Sequence, residues 1–132
     1  DSGARLAIVD GPPGIGCPVI ASVSGVDEAL IVTEPSVSGI HDLARALQTT
    51  SHFGARSAVV VNKADLNPER TQEIARFCAA EGVPVLGEIP YDLAAVHAMV
   101  NGRPVVDGAD GPLPRALHSL WNRLAAALDL QG

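Results

Sequence analysis

The chain has 132 residues, 47% of them apolar, which suffices for one domain with a sizeable core and excludes a disordered chain. Aromatic residues are confined to Phe53, Phe77, Tyr91 and Trp121, so Ala, Val, Leu and Ile must build the core, a profile that favours helices layered on a sheet. The formal net charge of −6, with no basic run, argues against nucleic acid as a partner. Cys17 and Cys78 are too few for a disulfide scaffold or a four-cysteine metal site and suit a reducing, cytoplasmic setting. No apolar run approaches the roughly 20 residues that span a bilayer, and no signal peptide is visible. A chain that opens on Asp1 reads as a fragment or a processed product.

Four short aliphatic runs appear in order: Leu6-Ala7-Ile8-Val9, Ala29-Leu30-Ile31-Val32, Ala58-Val59-Val60-Val61 and Pro84-Val85-Leu86. Each is nearly continuous rather than alternating, as in parallel strands buried on both faces. Between them lie helical patterns. Residues 38–52 place Ile40, Leu43, Ala44 and Leu47 on one face, with Gly54 just beyond. Asn67-Pro68-Glu69 reads as a helix start, with Asn as cap, Pro at the first helical position and Glu at the positive end of the dipole. That helix carries Ile74, Phe77 and Cys78 on one stripe and stops at Gly82. A further helix is expected to begin near Asp92 and end before Gly102, carrying Val96 and Met99.

Residues 104–112 read as a connector, and residues 113–130 as a terminal amphipathic helix with Leu113, Leu117, Leu120, Trp121, Leu124 and Leu128 on one face. Its polar face lacks the lysines of a membrane-surface helix, so packing on the sheet is the expected role. The order of strands and helices predicts a single α/β domain over residues 1–132: a doubly wound, mainly parallel sheet in three α/β/α layers.

In such a sheet ligands bind at the carboxyl ends of the strands. The residues there are Asp10-Gly11-Pro12-Pro13-Gly14, Thr33-Glu34-Pro35-Ser36, Asn62-Lys63-Ala64-Asp65 and Ile89-Pro90-Tyr91-Asp92. All four ends carry polar groups. A carboxylate after four apolar residues is what a phosphoryl-transfer site needs to hold Mg²⁺, usually through a water; the bland alternative is a strand-ending Asp in a turn. The glycines behind Asp10 free backbone N–H groups for a terminal phosphate, and Pro12-Pro13 stiffen the turn.

Asn62-Lys63-Ala64-Asp65 has the Asn-Lys-x-Asp pattern that reads guanine in many GTPases, with the Lys stem over the base and the Asp accepting from the ring N–H and amine. Its plainer reading is a polar turn whose Asp65 or Asn67 caps the next helix. Glu34 is a candidate to orient water or a partner group, against the default of a solvated loop carboxylate. The chain's one lysine is Lys63, and Ala64 follows it, so no Walker A loop is present. On that ground the chain alone is not expected to hydrolyse a nucleoside triphosphate.

Cys17, after the Gly-Ile-Gly turn, is a candidate redox or iron–sulfur contact or a small core residue, whereas Cys78 reads as core. The four histidines show no ligand spacing, and no nucleophile elbow occurs.

The stretch Leu6 to Ile20, containing Asp10-Gly11-Pro12-Pro13-Gly14-Ile15-Gly16, resembles the Walker B and switch II region of the MinD/ParA-type P-loop ATPases. It most resembles the subgroup with an inserted ferredoxin-like iron–sulfur domain. Thr33-Glu34-Pro35, Asn62 to Asn67, Ile89 to Asp92 and Gly102 to Val106 follow in the family's order, so the resemblance covers roughly residues 5–107. The resemblance implies the carboxyl-terminal half of an ATPase that uses ATP and Mg²⁺. Asp10 would hold the Mg²⁺ shell, Gly14 beside Pro12 and Pro13 would offer its N–H to the γ-phosphate, Asn62 with Lys63 would contact the base, and Pro90-Tyr91-Asp92 would line the base pocket.

It implies too a homodimer, and an iron–sulfur cluster and electron-transfer partner belonging to the inserted domain outside this chain. The GTPase switch pattern Asp-x-x-Gly is broken by Pro13, which favours ATP. The rival expectations are a non-catalytic interaction or dimerisation module, and a GTP-binding switch.

Overall fold

The structure is a computed structural model and describes residues 5–12, 22–107 and 110–128. Its centre is a parallel three-stranded sheet of β1 (Glu28–Thr33), β2 (Arg56–Asn62) and β3 (Val85–Ile89), in that spatial order. Helix α1 (Gly39–His52) connects β1 to β2, and α2 (Pro68–Glu81) connects β2 to β3. A short α3 (Ala94–Val100) follows β3, and α4 (Pro112–Ala127) closes the described chain. The register pairs Thr33 with Val61 and Asn62 with Ile89, so the three strands end together on one rim.

Alternation along β2 separates two cores. Val59 and Val61 point into a cluster with Leu43 of α1 and Ile74 and Cys78 of α2, joined by Ile31 and Leu47. Val60 points the other way, with Ile89 and Leu113, joined by Leu30, Leu117 and Leu120. Helices α1 and α2 therefore cover one face and α4 the other, which is the expected three-layer α/β/α arrangement. Arg123 of α4 donates to the Leu86 carbonyl at 3.0 Å, tying the helix to β3.

The local signals act as expected on α2. Asn67 Oδ1 accepts the Arg70 N–H at 3.2 Å, Pro68 occupies the first turn, and Gly82 takes φ +71 to end the helix. Helix α1 ends with Gly54 at φ +75. At its start, a Cβ on Gly39 would run into the Glu34 carbonyl oxygen, so the turn from β1 into α1 closes only around glycine.

Two expectations need correction. Leu6-Ala7-Ile8-Val9 forms no strand: residues 6–12 have no regular structure, with Ile8 79% and Val9 60% exposed. A parallel strand draws its stability from ladder partners, and none of the described residues pairs with this segment. Helix α3 begins at Ala94, close to the expected start near Asp92, and buries no residue fully, with Val96 and Met99 exposed. On α4, Trp121 lies largely outside the core while Pro114 and Ala125 are buried, and residues 105–107 of the connector form a 3-10 turn.

Candidate functional site

Three strand-end loops meet on the carboxyl rim, and the middle one holds the other two. Asn62 ends β2, and its Oδ1 accepts the Lys63 N–H at 3.0 Å. That bond supports Lys63 in the left-handed region at φ 54 and ψ 39, which a non-glycine residue adopts at a cost. A 3-10 turn over Ala64–Leu66 follows. The buried Thr71 hydroxyl, from the first turns of α2, donates to the Ala64 carbonyl at 2.7 Å and pins that turn against the helix.

From this anchored loop two side chains reach outward. Lys63 Nζ lies 3.3 Å from Glu34 Oε1, in the loop after β1. Asp65 Oδ1 accepts the Tyr91 N–H at 2.8 Å, in the loop after β3. Asp92 Oδ1 in turn accepts the Ala94 N–H at 2.9 Å and caps the start of α3. The Lys63–Glu34 pair is solvent-exposed on both sides, so it contributes on the order of 0–1 kcal/mol and acts by alignment.

The structure thus brings together Asn62, Lys63, Pro90, Tyr91 and Asp92 among the sequence candidates. Asp10 and Pro12 lie exposed on irregular backbone, and Asp10 makes no hydrogen bond or ion pair with the described residues. Pro13, Gly14 and Cys17 lie outside the described residues. Glu34 is engaged by Lys63 rather than merely solvated. Asn67, and not Asp65, caps α2. Thr71 and the Asp65–Tyr91 contact were not singled out from sequence. A threonine at a helix start carries no signal distinguishing a buried hydroxyl from an exposed one, and a contact spanning 26 residues has no local signature.

Asn62 retains chemical capacity. Its Oδ1 is spent on Lys63, which leaves the two N–H donors of its amide without a partner among the described residues. Two open cavities, of about 320 and 430 Å³, lie away from these loops: one beside α3 with His97, Arg103 and Asp107, the other between α2, β3 and α4.

Among the described residues no group of three or more His, Cys, Asp or Glu side chains is placed to hold a metal. An iron–sulfur cluster does not fit these residues, since Cys78 is the one cysteine among them and is fully buried, with burial pushing its thiol pKa up. Mg²⁺ bound to a nucleotide asks less of a protein, one or two carboxylates beside phosphates and waters, and Asp10 is an exposed carboxylate of that kind. Among the described residues no helix is long and apolar enough to cross a membrane.

A parallel sheet with helices on both faces and polar loops gathered at its carboxyl rim is the arrangement of the doubly wound nucleotide-binding folds. No family model matches the chain. It is 31% identical over 135 residues to an iron–sulfur cluster carrier protein of Pyrococcus horikoshii, covering 92% of this chain and 45% of that protein. An uncharacterized protein of Methanocaldococcus jannaschii is 44% identical over 64 residues, 48% of this chain and 23% of its own length. Among solved structures, the MinD cell division protein of Aquifex aeolicus superposes with a TM-score of 0.74 at 26% identity, over 88% of this chain and 51% of that one.

The chain is similar in sequence to iron–sulfur cluster carriers and MinD proteins, and in fold to MinD, in agreement with its resemblance to the MinD/ParA-type P-loop ATPases. It spans about half the length, or less, of the relatives it matches, in keeping with a reading as one half of such a protein.

Proposed function

We propose that this chain is the carboxyl-terminal part of an ATP-binding, ATP-hydrolysing switch protein, supplying the base side and the metal-facing carboxylate of its nucleotide site. The observation that carries the reading is the gathering of three strand-end loops at one rim, where the Asn62 amide donors have no partner among the described residues and the same loop is tied through Asp65 to Tyr91. Such donors suit the ring nitrogens of adenine, and Pro90-Tyr91-Asp92 form the adjoining wall. Asp10 would hold the water shell of Mg²⁺, and Gly14, with Pro12 and Pro13 beside it, would supply a backbone N–H for the γ-phosphate. When bound, the metal neutralises charge developing on the phosphates.

The phosphate cradle comes from outside this chain, whose lone lysine, Lys63, is followed by Ala64 and not by a Ser or Thr, so the chain by itself is inactive. The intact protein works in the cytoplasm as a homodimer with nucleotide at its interface. A link to iron–sulfur chemistry is supported by relatives described as iron–sulfur cluster carriers; a cluster in an inserted domain and an electron-transfer partner are further parts of the proposal.

The test is ATP turnover by the intact protein with Mg²⁺. Asp10→Ala is expected to lower it by roughly 100-fold or more. Unchanged turnover in that variant removes Asp10 from the mechanism. No turnover in the unaltered protein, at any ATP concentration, leaves the non-catalytic interaction module.

A further inference from the structure

We propose that the cleft between α3 and the start of α4 binds a small zwitterion of the free amino-acid type, with Arg103 taking its carboxylate and Asp107 its ammonium group. The cleft has a volume of about 320 Å³, at the lower end of the range of small-molecule sites. Arg103 and Asp107 both line it, yet they form no ion pair with one another. Neither side chain makes any other hydrogen bond or ion pair with the described residues. Opposite charges that face one cavity without meeting each lack a charged partner. The second cavity differs, since its arginine, Arg123, is already spent on the Leu86 carbonyl.

The backbone holds the two charges in place. Helix α3 ends in a turn at Gly102, with φ +64, and the Arg103 N–H donates to the Ala98 carbonyl at 2.9 Å. The Asp107 N–H donates to the Pro104 carbonyl at 3.1 Å and closes the 3-10 turn Val105–Asp107. That turn is anchored because Val105 packs against the core that contains Leu113. A site fixed before its ligand arrives loses less conformational freedom on binding.

The lining decides the ligand class. Ala98, Val105 and Pro114 offer an apolar wall to a hydrocarbon body. Asn101 and His97 share the lining with Arg103, their side chains unpartnered among the described residues, and add donors for carboxylate oxygens. Asp107 is the one carboxylate on the lining and accepts from an ammonium group. A simple anion is repelled by Asp107, and a simple amine by Arg103. A free amino acid carries both charges at neutral pH and satisfies both residues. This inference is independent of the nucleotide reading.

The test is an NMR titration of the 132-residue chain, followed at the amides of Arg103, Val105 and Asp107. The probes are L-leucine, isocaproate, which is leucine without its ammonium group, and isoamylamine, which is leucine without its carboxylate. Saturable shifts with L-leucine are expected, with a dissociation constant on the order of 1 mM for so small a ligand. Isocaproate and isoamylamine are expected to bind about 10-fold more weakly. Asp107→Asn is expected to weaken L-leucine about 10-fold without weakening isocaproate, and Arg103→Gln to weaken both by about as much. Both residues are exposed, so neither substitution threatens the fold, and the Val60 and Val61 amides report on the sheet.

No saturable shift with L-leucine up to its solubility limit overturns the proposal. Isocaproate binding as tightly as L-leucine overturns it too, because the ammonium group is then idle. L-leucine affinity unchanged in Asp107→Asn or in Arg103→Gln refutes the pairing of charges on which the proposal stands.

Discussion

Replacing Thr71 by Val tests whether the buried hydroxyl under the Asn62 loop stabilises the protein. Thr71 is 5% exposed, and its Oγ1 donates to the Ala64 carbonyl at 2.7 Å. Valine matches threonine in shape and β-branching, so the substitution opens no cavity and changes helix propensity little. It removes one donor from an acceptor that is itself on a buried residue.

A net hydrogen bond is worth about 1 kcal/mol, and an acceptor stranded in the interior costs about 1–3 kcal/mol, so the expected destabilisation is about 1–3 kcal/mol. With a urea m-value of roughly 1–2 kcal/mol/M, the midpoint falls by about 0.5–3 M. Thr71→Ser keeps the hydroxyl and loses one methyl, for about 1 kcal/mol. The polar account therefore predicts the order Thr, then Ser, then Val. If hydrophobic burial alone governed the site, Val would equal or exceed Thr and Ser would be the least stable. Urea unfolding followed by far-UV circular dichroism separates the two orders, and finding the second refutes the reasoning.

Gly39→Ala places a methyl group against the Glu34 carbonyl. The turn from β1 into α1 must open, and a loss of about 1–3 kcal/mol in a denaturation midpoint is expected despite the better helix propensity of alanine. Burial raises the Cys78 thiol above its ordinary pKa of 9.0, so the folded state holds this proton more tightly than the unfolded state. The associated stability is fully present below pH 9 and falls as the pH climbs toward the raised value; Cys78→Ala is expected to flatten that slope in urea titrations over pH 8 to 10, and the intact thiol is expected to resist alkylation until the chain unfolds.

The parts of the fold legible in sequence were those whose physics is local. Asn67-Pro68-Glu69 announces a helix start through cap, ring and dipole, and the structure builds each of these contacts within three residues. Gly54 and Gly82 end helices because the left-handed turn favours residues without a Cβ. The strand-end loops were legible as a group because parallel topology sends every carboxyl end to one rim.

What the loops do to one another was not legible. The Asp65–Tyr91 and Lys63–Glu34 contacts depend on register between strands, which no single stretch of residues encodes. Asp65 could be read from its neighbours only as a cap or a base acceptor, since its partner amide lies in another loop.

The contrast between Ala58–Val61 and Leu6–Val9 shows where a reading from apolar runs stops. Both are four consecutive aliphatic residues followed by a polar turn. The first becomes the centre of the sheet, with every residue of the run buried. The second stays irregular and exposed. An apolar run states that a strand needs covering on both faces and pairing on both edges, and it cannot state whether the covering segments are at hand.

Strand β1 shows the intermediate case. It pairs with β2 on one edge, and Ile31 and Leu30 are taken up by the two cores, yet Val32, one residue along, is 62% exposed. Helix α4 packs on β3 and reaches Leu30, so the face of the sheet that carries Val32 is only partly layered. Burial in this sheet is fullest along β2, which has a strand on each side, and partial along β1 and β3, which each have one, while Leu6–Val9 lies outside the sheet and is mostly exposed.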